Sequence, residues 1–100
     1  MTTAAATYAL PYEHTANSQT LAILGTTGAV GDYLHRMVVT VNAIATSTLV
    51  ITDGAFAHTI VRANTPIGVY SIEMNAISQQ TGWKLTTGAG VEVMSMGNFT

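Results

Sequence analysis

Between Thr20 and Phe99 apolar residues recur at every second position in one short segment after another. The segments are TLAIL (20–24), LHRMVVTVN (34–42), STLVIT (47–52), FAHTIVRA (56–63), GVYSIEMNAI (68–77), WKLTT (83–87) and VEVMSMGNF (91–99), and turn residues separate nearly all of them. No stretch keeps apolar spacing of i, i+3, i+4, i+7 for three turns, and glycines and β-branched residues interrupt every helical window. About six to eight antiparallel strands with frequent turns predict an all-β chain, a β-sandwich or small barrel.

Within LHRMVVTVN, His35, Met37, Val39 and Val41 share one face and form the better core set, against Leu34, Arg36, Val38, Thr40 and Asn42. Trp83 and Leu85 point together while Lys84 points away, and Val91 and Val93 oppose Glu92, Met94 and Met96. Many strands are apolar on both faces, which predicts a second cover, either another sheet or a neighbouring subunit. ITDGAFAHTIV (51–61) sets two apolar runs around Asp53-Gly54 and predicts a hairpin with that pair as its two-residue turn.

Residues 1–18 are rich in Ala and Thr, contain Pro11 and lack a sustained period, so they are expected to form an extended arm ahead of a single domain over 19–100. Only 8% of the 100 residues are charged, against about 25% in ordinary domains. No apolar run approaches the ~20 residues of a membrane span, and no secretory signal is expected. Without cysteine there are no disulfides and no thiolate chemistry. The three basic residues, Arg36, Arg62 and Lys84, are scattered, which argues against nucleic acid and anionic membranes as partners.

GTTGAVGDY (25–33) superficially resembles a phosphate loop, but its spacing is neither GxGxxG nor a Walker motif and a strand pattern follows, so a connection between strands is expected. His14, His35 and His58 lie on different segments, and no metal site or cofactor is expected. Glu13, Asp32, Asp53, Glu73 and Glu92 show no pairing suited to hydrolysis, and no GxSxG elbow isolates a serine, so the chain is not expected to be an enzyme. Tyr8, Tyr12, Tyr33, Tyr70, Trp83 and Phe99 are the aromatic residues that could stack on a sugar, although Trp83 is better explained as a core or subunit anchor. Asn98-Phe99-Thr100 formally matches a glycosylation sequon.

The hairpin ITDGAFAHTIV, the strand motif P-x-G-V-Y-x-I (Pro66, Gly68, Val69, Tyr70, Ile72) and the pair W-K-L-T-T-G-A-G (Trp83 to Gly90) together resemble small virion proteins of tailed bacteriophages, over about residues 48–99. That resemblance implies a jelly-roll-like sandwich on the virion surface, made in the host cytoplasm. It further implies a capsid decoration or cement protein that binds the major capsid protein as a homo-oligomer, a trimer in such families. The arm residues Tyr8, Leu10, Pro11 and Tyr12, with Tyr70 and Trp83, are the interface candidates. The alternative is a tail- or fibre-associated module that binds glycans or a receptor through exposed aromatic residues.

Overall fold

The computed structural model describes residues 12–100. Eight strands are present: β1 (Tyr12–Thr15), β2 (Ala22–Ile23), β3 (Tyr33–Val41), β4 (Leu49–Asp53), β5 (Phe56–Val61), β6 (Gly68–Ile77), β7 (Trp83–Thr87) and β8 (Val91–Asn98). They form two four-stranded sheets, in the orders β1-β8-β3-β6 and β2-β7-β4-β5. All neighbours are antiparallel. Apart from the β4-β5 hairpin, each successive strand crosses to the other sheet, and this strand order is that of a jelly roll.

Alternation decides which side of each strand faces the other sheet. Leu49 and Ile51 of β4, Leu85 of β7, and Val91 and Val93 of β8 are buried between the layers. Removing each such side chain from water contributes about 1.5–3 kcal/mol, the main cohesive term in a chain with one ion pair among its described residues. That pair, Arg36 with Glu73 at 3.8 Å, is surface-exposed and worth little.

The core face expected for β3 holds for Met37, Val39 and Val41 but not for His35. Leu34 pairs with Gly97 and Arg36 with Met96, so His35 is an extra residue with no partner on β8. This bulge restarts the alternation, turning Leu34 into the core and His35 outward.

Part of the segment expected as an arm is a strand, while residues 1–11 of it lie outside the described residues. Tyr12–Thr15 pair with Met96–Val93 as an edge strand, and Thr15 is buried. Beyond it, Ser18 N–H donates to Gly88 C=O, and Thr87 N–H donates to Gln19 C=O. A four-residue strand is too short to show a period, so its pairing partner reveals it. TLAIL, in turn, contributes only the two residues of β2.

The hairpin turn lies one residue later than expected. Asp53 pairs with Phe56, so the two loop residues are Gly54 and Ala55. Gly54 has φ +60°, as the first central residue of a type II′ turn requires. Asp53 is thereby the last strand residue, with its side chain turned inward. Gly54→Val is expected to destabilise the domain by about 1–3 kcal/mol, because a β-branched residue does not tolerate that φ. A urea-unfolding midpoint equal to wild type would disprove the turn assignment.

Candidate functional site

The two ends of the sandwich differ. At one end gather the loop before β3, the β4-β5 turn, the β6-β7 connection and Thr100. Asp53 is 6% exposed and accepts from Ser78 Oγ (2.6 Å), Gln79 N–H (2.8 Å) and Thr81 N–H (3.2 Å). Ser78 Oγ in turn accepts from Gly82 N–H at 2.8 Å. Asp32, 4% exposed, accepts from Thr100 Oγ1 (2.6 Å), Thr100 N–H and Ala29 N–H (both 3.1 Å). Its backbone carbonyl takes the Trp83 indole N–H at 3.0 Å and the Ser78 N–H at 2.8 Å.

Burial by itself pushes both carboxyls up, but the donors prevail: Thr100 and Ala29 hold Asp32 below the usual aspartate range, and Ser78 with the Gln79, Thr81 and Gln80 amides does the same for Asp53. Both are ionised anchors that stitch loops together. The glycine-rich segment 25–28 serves the same end, because the N–H groups of Thr26, Thr27 and Gly28 all donate to Thr100 O at 3.0 Å. These amides hold part of the chain itself.

The opposite end is apolar at its tip. Ser47 is fully buried; its hydroxyl lies 2.8 Å from Ile44 C=O and 2.9 Å from Arg62 C=O, and accepts from Thr65 N–H at 2.9 Å. Asn64 N–H adds a bond to Ile44 C=O at 2.8 Å. These bonds tie the β3-β4 and β5-β6 loops into one unit on which Ile44 and Ile67 are 47% and 64% exposed, and Val69, at the start of β6 beside it, is 67% exposed.

Along one side, between the edge strands β5 and β6, the sandwich is open. A cavity of about 440 Å³ runs there, with Phe56, His58 and Ile60 on one wall, Met74 and Ala76 on the other and Trp83 at its base. A second, of about 410 Å³, continues past Ile60, Tyr70 and Ile72. This cleft was not legible beforehand, since FAHTIV shows its apolar positions but not that sheet β1-β8-β3-β6 stops short of covering them.

The expected interface residues are dispersed. Tyr8, Leu10 and Pro11 lie outside the described residues. Tyr12 is exposed on β1 at one edge, and Tyr70 is half-buried on β6 at the other, its hydroxyl donating to Pro66 C=O at 2.7 Å. Trp83 is buried, 6% exposed, so it is a core anchor that meets the cleft only at its base. His14 is on β1 and His58 on β5, while His35 Nδ1 meets the Tyr33 hydroxyl at 2.8 Å. Among the described residues no three His, Asp or Glu side chains are grouped to hold a metal.

Fold and surface together define a class: an eight-stranded jelly roll with one end tied by buried carboxylates, an apolar loop tip at the other, and one open side. No family model, no curated protein and no solved structure matches the chain.

Proposed function

We propose that this chain is a structural virion protein of a tailed bacteriophage, a capsid decoration or cement protein that binds the assembled head. The observation that carries the reading is the loop tip. Ile44 and Ile67 stand exposed on loops that Ser47 and Asn64 hold in place, with Val69 exposed at the adjoining start of β6, so docking would bury them with little ordering cost. The resemblance over residues 48–99 points to the partner, and a jelly roll is a fold that viral capsid domains use, which is support by analogy only.

A protein of this kind stabilises a shell by binding the assembled lattice and not its free subunits, a linkage worth about 2.7 kcal/mol per site at 100-fold saturation. Several tips engaged at once would raise that through effective concentration. Arg62, exposed in the β5-β6 loop, is the one charged side chain in the two tip loops, 42–48 and 62–67, so few charges need desolvation there.

Ile44→Asp combined with Ile67→Asp is expected to abolish co-sedimentation with assembled capsids while leaving the melting curve unchanged. Undiminished attachment would overturn the reading of the tip. A deletion of residues 2–11 tests the arm separately, because removing Tyr12–Thr15 as well would strip an edge strand from the sheet. The glycan-binding alternative loses its best anchor with the burial of Trp83.

A further inference from the structure

Edge strands present unpaired N–H and C=O groups, and natural sheets protect them with charges, proline or short length. Among the four edges here, β2 has two residues, β1 has four and includes Glu13, and β6 carries Glu73. β5, with the sequence FAHTIV, has no Lys, Arg, Asp, Glu or Pro, and its one bulge, at Ile60, leaves Phe56–Thr59 in regular register with β4. Phe56, Ala57, His58 and Thr59 are all exposed, Phe56 by 54%.

We propose that β5 pairs antiparallel with β5 of a second copy, so that sheet β2-β7-β4-β5 continues across a twofold axis and the partner covers the apolar wall of the cleft. Charge favours this occupant. An isologous contact sets Phe56–Val61 against itself, and no like charges come opposite one another. An acidic or basic peptide would meet no counter-charge on this strand. The gain is twofold: the free backbone groups of β5 find partners, and Phe56 and Ile60 leave water. The pairing goes beyond the capsid reading and does not need it, since β5 forms a side of the sandwich and the Ile44/Ile67 tip is a separate surface. It makes a dimer the basic unit where the resemblance implied a trimer.

Light scattering on the full chain over a range of concentrations tests it. Wild type is expected at twice the 10.5 kDa of one chain. Ala57 and Thr59 sit on the outer face of β5, opposite Thr52 and Val50, so charges there spare the core. Ala57→Lys/Thr59→Lys and Ala57→Glu/Thr59→Glu are each expected at single mass with the wild-type circular-dichroism spectrum and a lower melting temperature, and their equimolar mixture at double mass. Should either pair of substitutions change that spectrum, the single variants Thr59→Lys and Thr59→Glu carry the same comparison.

Single mass for wild type at every concentration would overturn the proposal. So would double mass for the lysine variant, or a mixture that stays at single mass. Loss of the dimer on deleting residues 2–11, with the β5 charges harmless, would assign the contact to the N-terminal segment instead.

Discussion

Replacing Asp53 by alanine is expected to lower the unfolding free energy by about 3–5 kcal/mol, seen as a fall in the urea midpoint at unchanged slope. The carboxylate satisfies the Ser78 hydroxyl and the Gln79 and Thr81 amides. Each buried donor left without a partner costs about 1–3 kcal/mol. A loss below about 1 kcal/mol would mean that water replaces the carboxylate and that the β6-β7 connection does not depend on it.

The same anchors set a pH dependence. Asp53 and Asp32 both titrate below the ordinary aspartate value in the folded chain, because hydrogen bonds to the ionised form outweigh the cost of burial. The unfolded chain therefore binds more protons in acid. Their contribution is complete above about pH 4 and is lost as pH falls through the lowered folded values. Melting temperature measured down from neutral pH is expected to fall in that acid range, and Asp53→Asn to fall less steeply because one of the two groups no longer titrates. An equal slope in both proteins would place the acid sensitivity elsewhere.

Gly82→Ala is expected to cost about 2–4 kcal/mol. Gly82 has φ +87°, and a Cβ there would lie 2.6 Å from Ala29 N and 2.7 Å from Gly28 Cα. Both are backbone atoms, so relief requires the 25–32 loop to move away from the β6-β7 connection. Trp83, the next residue, bonds through its indole to Asp32 at the end of that loop, so its fluorescence reports the displacement. A variant with wild-type stability and wild-type Trp83 emission would show that the two loops are not in the close contact described.

Strand content was legible because period 2 is a local property. GVYSIEMNAI and WKLTT coincide with β6 and β7 residue for residue, since each is bounded by turn residues and alternates without interruption. Long-range choices escaped the same reading. The bulge at His35 reversed the face of Leu34, because an added residue shows only in the pairing with β8. The shift of the turn to Gly54-Ala55 depended on Asp53 having donors from the β6-β7 connection to face, 25 or more residues away. Trp83 was expected to anchor either the core or a subunit contact, and its burial with the Asp32 carbonyl at its indole places it in the core.

The sequence by itself determined the all-β class, the positions of most strands and a surface poor in charge, for these follow from side-chain alternation, turn propensity and composition. Only the tertiary structure decided the jelly-roll order, the clustering of Asp32, Asp53 and Ser78 at one end, the apolar tip at the other, and the open side between β5 and β6. Those features are set by which strands become neighbours, and the free energy that selects neighbours comes from burial and hydrogen bonds between residues far apart in the chain.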